Sequence, residues 1–225
     1  LIMADYLEAD PSELLEGPKI GLKLPEVLTV EEIDNIISSV DRSKAEGQRN
    51  RAILETLYSC GLRVSELVNL KLSDLYFDEG FIKVEGKGNK QRLIPISPRA
   101  INEIKLYFTD RNQIEVKSGH EDFVFISLRR GKRLSRIMIF HMIKELAQQA
   151  GITKNISPHT FRHSFATHLL EGGANLRAIQ CMLGHESIAT TEIYTHIDRN
   201  VLRSEIIEHH PRNIKYRKEK ESLFH

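Results

Sequence analysis

Residues 157–196 read SPHTFRHSFATHLLEGGANLRAIQCMLGHESIATTEIYTH, and this stretch sets the architecture expected of the chain. Ser157 is placed to cap a helix and Pro158 to fill its first position, where a missing amide costs nothing. Phe161, Phe165, Leu169 and Leu170 give that helix a buried side, and Gly172-Gly173 ends it. A second helix runs from Asn175 to Leu183 and stops at Gly184, which leaves His185 in the turn; Ser187 then caps a short third helix carrying Tyr194. His159 and Arg162 are three residues apart on one helical face, at the end whose free amides attract anions. Imidazoles and a guanidinium can bind and protonate phosphodiester oxygens, and a phenol can attack the phosphorus. Two helix–turn joints are enough to fold His185 and Tyr194 back toward His159 and Arg162.

Composition bounds the rest. The chain has 225 residues, 40% of them hydrophobic, enough for one large domain with a real core. No stretch approaches the roughly 18–20 apolar residues of a membrane span. The opening LIMADYLEAD is acidic rather than signal-like, so the expected location is cytoplasmic, with no membrane partner. Cys60 and Cys181 fall where small buried apolar residues belong. Net charge is only +1, but basic residues cluster at Lys87, Lys90 and Arg92, at Arg129, Arg130, Lys132, Arg133 and Arg136, and at Arg212, Lys215, Arg217 and Lys218. One such run is an ordinary solvated face; three runs flanking one polar motif point to a polyanionic partner.

Upstream, prolines at 11, 18 and 25 break residues 1–28 into a strap or interdomain linker, and the start on Leu1 rather than Met fits a chain whose first domain is missing. Thr29 and Glu32 form a capping box for a first helix with Ile33, Ile36 and Ile37 inward. Arg49 to Cys60 reads as a second helix stopped by Gly61. Arg63 follows among Leu62, Val64, Leu67 and Leu70, so its guanidinium leaves a packed scaffold; taken alone, the position reads better as a surface Arg paired with Glu66, and the company of the other motifs changes that reading. From Leu72 to Ile96 the period becomes alternating, giving three short strands with turns at 78–80 and 86–90 and placing Lys87 at a hairpin tip between two glycines. Further helices are expected over 97–108 and from a Ser135 cap to Gly151. The fold class is therefore α+β, predominantly α-helical, with a small three-stranded antiparallel sheet.

GLRVSEL, GKGNK, SPHTFRHSFATHLLEGGANLRAIQ, LGHESIATTEIYTH and HHPR together resemble the catalytic domain of the tyrosine recombinases, the phage-integrase family, and look most like its Xer branch. The resemblance covers about Glu8 to Pro211. It implies an active site of Arg63, Lys87, His159, Arg162, His185 and Tyr194, with Glu66 and His163 as supports behind it. In that reading Tyr194 attacks a DNA phosphodiester to give a 3′-phosphotyrosyl link, and the two arginines stabilise the pentacovalent transition state. His159 takes the phenolic proton, Lys87 protonates the leaving 5′-oxygen, and His185 donates to a phosphoryl oxygen. No cofactor and no metal is called for. Lys90, Arg92, Arg130, Lys132, Arg133 and Arg136 are the expected DNA-binding cations.

The domains that follow from the resemblance are 1–28, the linker of a missing N-terminal DNA-binding domain; 29–211, the catalytic domain; and 212–225, a basic tail expected to dock on a neighbouring protomer. Partners are double-stranded DNA, a homo- or hetero-tetramer of recombinases on it, and a DNA translocase. The role is chromosome dimer resolution or integration of a mobile element. Two other readings share the motifs: a type IB-like topoisomerase that nicks and reseals, and a non-catalytic DNA-binding protein on the same fold. Six competent polar positions count against the last. Glu186, an acid beside His185, departs from the usual neutral residue.

Overall fold

The computed structural model describes residues 26–184 and 199–222. Helix α1 (Val30–Ser38) opens with the expected capping box: the Thr29 amide donates to Glu32 Oε2 at 2.8 Å and the Glu32 amide to Thr29 Oγ1 at 3.2 Å. Its Ile33, Ile36 and Ile37 are fully buried. Helix α2 (Gly47–Cys60) is the central element, buried along almost its whole length and packed against α4 (Pro98–Arg111) and α6 (Pro158–Glu171). A helix wrapped by neighbours on every side loses the amphipathic stripe, which is why Glu55, Thr56 and Ser59 lie inside it beside Ile53, Leu54 and Leu57.

A short helix α3 (Val64–Asn69) follows α2 directly. The antiparallel sheet is as expected, in the order β1 (Leu75–Tyr76), β2 (Phe81–Glu85), β3 (Gln91–Pro95), with Phe81 opposite Pro95 and Glu85 opposite Gln91. A 3-10 turn over Lys87–Asn89 joins β2 to β3, with Gly88 at φ 70° and Asn89 at φ 57°. Helix α5 (Arg136–Gln149) is capped by Ser135, whose hydroxyl accepts from the Met138 amide at 3.2 Å. Helix α7 (Leu176–Leu183) ends on Gly184, and α8 (Arg199–His209) and α9 (Pro211–Glu221) complete the described chain.

At both ends the structure refines the expected boundaries. Leu28 is fully buried and its amide donates to Ser164 Oγ at 2.9 Å, so the last residues of the strap already belong to the core. The described residues after 211 lie against the domain. Helix α9 packs on its own chain's α4 and α8. Arg212 is buried, with Nε donating to Glu55 Oε2 at 2.9 Å and further ion pairs to Glu55 Oε1 and Asp34. Lys215 adds a 2.7 Å pair to Asp34. A carboxylate buried as deeply as Glu55 needs cationic partners, and Arg212 and Arg99 are the ones in reach. His210 is buried between Tyr58 and Phe165, donating from Nε2 to the Tyr58 carbonyl at 3.2 Å, and burial pulls its pKa down to about 3, so it is neutral.

Arg212→Ala should therefore cost about 3 kcal/mol, because it leaves a buried carboxylate short of charge. The measurement is urea unfolding, in which Lys215→Ala, at an exposed pair, should cost under about 1 kcal/mol.

Candidate active site

Ser157 caps α6 as expected, with its amide donating to Thr160 Oγ1 at 3.1 Å, and Pro158 fills the first helical position. The first turn opens onto a cleft of about 420 Å³ lined by Glu26, Ser157, His159, Thr160, Arg162, His163, Ala166 and Leu183. His159 and His163 are exposed along it, while Arg162 is only 9% exposed. Its Nη1 donates to the Gly61 carbonyl at 2.7 Å and its Nη2 to the Leu183 carbonyl at 2.5 Å.

Both acceptors lie at helix C-termini. Gly61 caps α2 at φ 58° and Gly184 caps α7 at φ 64°, each in the left-handed region open to glycine. At Gly61 space forbids a side chain as well, since a Cβ would stand 2.4 Å from the Phe165 ring. Carbonyls at a helix end lack intrahelical donors and carry the negative pole of the helix, so a guanidinium satisfies both needs. Arg162 thus ties two helix ends together.

Arg63 emerges directly after the α2 cap. Its Nη1 pairs with Glu66 Oε1 at 3.0 Å, its Nη2 lies 3.5 Å from the Gly184 carbonyl, and its side chain is 36% exposed. Glu66 also accepts the Arg63 amide at 2.9 Å, closing the first turn of α3. The expected pair of Arg63 and Glu66 forms, but with Glu66 buried.

The third guanidinium was not expected here. Arg92, read among the DNA-binding cations, is 7% exposed and faces inward. Its Nη1 and Nη2 grip Glu66 Oε1 and Oε2 at 2.8 and 2.9 Å, and its Nε donates to the Met182 carbonyl at 2.9 Å. The reason is strand geometry: Arg92 shares a face of β3 with the buried Ile94, opposite Val84, and a charge on that face must find a partner inside. The alternation of Arg92, Ile94 and Ile96 in the sequence carried that signal.

Two guanidiniums, those of Arg63 and Arg92, therefore share one carboxylate, while Arg162 is held by helix-end carbonyls nearby. Burial by itself raises the Glu66 pKa, but the hydrogen bonds and charge of Arg92, with those of Arg63, outweigh it and hold the carboxyl below its usual range. Arg162 is pulled down to about 10, first by burial and then by the charge of Arg63, with Glu66 opposing and Arg92 adding to the fall; it stays charged at neutral pH. The excess of positive charge at the cleft calls for an anion.

Of the other expected site residues, Lys87 lies in the 3-10 turn of the hairpin, while His185 and Tyr194 lie outside the described residues. Lys90, Arg130, Lys132, Arg133 and Arg136 are exposed. The Ser127 amide donates to the Lys132 carbonyl at 2.8 Å, forming a tight turn that presents this basic loop. Arg133 bonds Asn69 and stacks 5.3 Å over the Phe123 ring, so the loop is fixed against α3. Arg136 sits in the first turn of α5, where a cation opposes the helix dipole, so it does not serve helix stability. Glu26, at the cleft wall, carried no sequence signal; the fastening of the strap to α6 places it there.

A helical domain with a small hairpin sheet, with the buried Arg162 and exposed histidines on one cleft and an exposed basic loop, fits a DNA strand transferase. The sequence profile of the phage integrase family matches residues 26–200, and the chain belongs to that family, the tyrosine-type site-specific DNA recombinases. It is 46% identical to the tyrosine recombinase XerD of Staphylococcus saprophyticus over 92% of this chain and 70% of that one. Among solved structures it is similar to the XerA recombinase, with TM-score 0.66 and 37% identity over 86% of this chain and 67% of that chain. It is also similar to the XerH site-specific recombinase bound to its difH substrate, with TM-score 0.64 and 30% identity over 78% of this chain and 51% of that one.

The lowered Glu66 pKa has a definite sign. Its contribution to stability should be complete above the unfolded value near ~4.3 and lost as pH falls through the lower folded value. Urea unfolding between pH 6 and 3 should show this loss in the wild type and a flatter profile in Glu66→Gln.

Proposed function

We propose that this chain cleaves and rejoins double-stranded DNA through Tyr194, with Arg63 and Arg162 as the phosphate clamp. The observation that carries the reading is the cluster of Arg63, Arg92 and Arg162 about the one carboxylate of Glu66, with Arg162 on the cleft beside His159. A pentacovalent phosphorane gains a negative charge over the ground-state diester, so donors fixed in advance by helix-end carbonyls stabilise the transition state more than the substrate. In the cleavage step the Tyr194 Oη–P bond forms and the P–O5′ bond breaks; the phenolic proton passes to His159, and Lys87 supplies a proton to the leaving 5′-oxygen. His185 donates to a phosphoryl oxygen. The phosphotyrosyl ester conserves bond energy, so attack by a 5′-hydroxyl reverses the step and needs no nucleotide.

The exposed basic loop at 130–136 and Lys90 hold the DNA backbone, which positions the duplex without reading its sequence. The solved XerH complex with difH substrate supports DNA as the partner. Four such chains, alike or of two kinds, assemble on two duplexes, with a DNA translocase as a further partner and the cytoplasm as the site of action. No helix among the described residues is long and apolar enough to cross a membrane. Similarity to XerD favours chromosome partition at cell division over a mobile-element role, and recombination over relaxation of supercoils.

The test is a nicked duplex carrying the chain's own site, captured from random sequence as a covalent adduct. The wild type should form a protein–DNA band on a denaturing gel and Tyr194→Phe none. Arg162→Ala should slow adduct formation about 10²–10³-fold, as for loss of one oxyanion donor. An adduct in Tyr194→Phe overturns the choice of nucleophile.

A further inference from the structure

The inward-facing Arg92 is 7% exposed, gives two of its nitrogens to Glu66 and one to the Met182 carbonyl, and is not among the residues lining the cleft. It nonetheless lies where three segments meet. Through Glu66 it is one residue removed from Arg63, whose amide and guanidinium both rest on the same carboxylate. Through Met182 it holds the last turn of α7, whose next carbonyls receive Arg162 and Arg63. Two glycines close on it as well. A Cβ at Gly184 would stand 3.1 Å from Nε and 3.2 Å from Cδ and Cζ, and one at Gly86 would stand 3.4 Å from Nη1. Gly86 immediately precedes Lys87, and its amide donates to the Lys90 carbonyl at 2.8 Å, so the base of the hairpin passes close to this guanidinium.

We infer that Arg92 is a positioning residue for strand transfer: it locks Arg63 and the C-terminal turn of α7 into register and thereby sets the phosphate clamp without touching the phosphate. The planar fork is essential to this role. A carboxylate gripped at both oxygens cannot rotate, and its second lone pairs are left aimed at Arg63; a lysine, with one point charge, leaves both the carboxylate and the Met182 carbonyl free to turn. The inference rests on the phosphate role proposed for Arg63, and the following experiment separates the two.

Adduct formation is measured in single turnovers for wild type, Arg92→Met, Arg92→Lys and the charge-neutral pair Arg92→Met/Glu66→Gln, with DNA affinity measured in parallel. Arg92→Met and Arg92→Lys should each slow cleavage about 10²-fold, the effect of a misplacement near 1 Å, while affinity stays within about twofold. On a duplex with a methylphosphonate at the scissile position, the oxygen charge that Arg63 would meet is gone. There Arg92→Met should cleave as fast as wild type, whereas a merely structural defect slows both substrates equally. The double variant holds no unpaired buried charge; circular dichroism should show it folded, and it should be no slower than Arg92→Met. A folded double variant at wild-type rate, full activity in Arg92→Lys, or equal losses on both substrates overturns the inference. If the wild type forms no adduct, the recombinase chemistry fails instead, and amide exchange at Gly184, bonded to the Cys181 carbonyl at 3.0 Å, decides the role of Arg92: faster exchange in Arg92→Met upholds it and unchanged exchange overturns it.

Discussion

Everything at the cleft depends on how buried arginines meet the ends of helices. Helices α2 and α7 both finish on left-handed glycines, and both leave carbonyls without intrahelical donors. Arg162 joins the two ends, Arg92 takes the carbonyl one residue earlier on α7, and Arg63 approaches Gly184. The usual cost of burying a guanidinium is offset here by acceptors that would otherwise go unmet. The same bonds that satisfy the helix ends hold the guanidiniums in fixed positions, as the proposed phosphate clamp requires.

A second buried ion cluster does the corresponding work at the other side of α2. Glu55, Asp34, Arg99 and Arg212 fasten α9 to the domain, next to the neutral His210 and the hydrogen bond of 2.7 Å between Tyr58 Oη and His168 Nδ1. Helix α2 therefore carries Glu55 near its middle for the C-terminal helix and presents Gly61 at its end to Arg162. An element buried on all sides is the natural carrier for both, since its position is over-determined by packing.

The tail shows how much a local pattern leaves open. Residues 212–218 look solvated and basic, and nothing in their spacing says that Arg212 is inside while Lys215, Arg217 and Lys218 stay out. Only the presence of Glu55 and Asp34 on helices more than 150 positions earlier decides it. Within the described residues the partners of Arg212 belong to its own chain.

Local chemistry determined much of this protein from the sequence alone. The Thr29–Glu32 box, the Ser135 and Ser157 caps, the glycine stops at 61 and 184 and the alternation over 81–95 each depend on residues within a few positions of one another, and each appears where the spacing places it. The positions of Arg63, Arg162 and His159 and the Arg63–Glu66 pair were legible too, because the motif keeps them near those caps. What tertiary structure decided was direction. Arg92 and Arg133 are both basic residues in basic runs; one is turned inward by the face of β3 it occupies and the other outward by the loop that carries it. A charge becomes a buried clamp or an exposed surface cation according to what packs against it, and that is settled by segments far away along the chain.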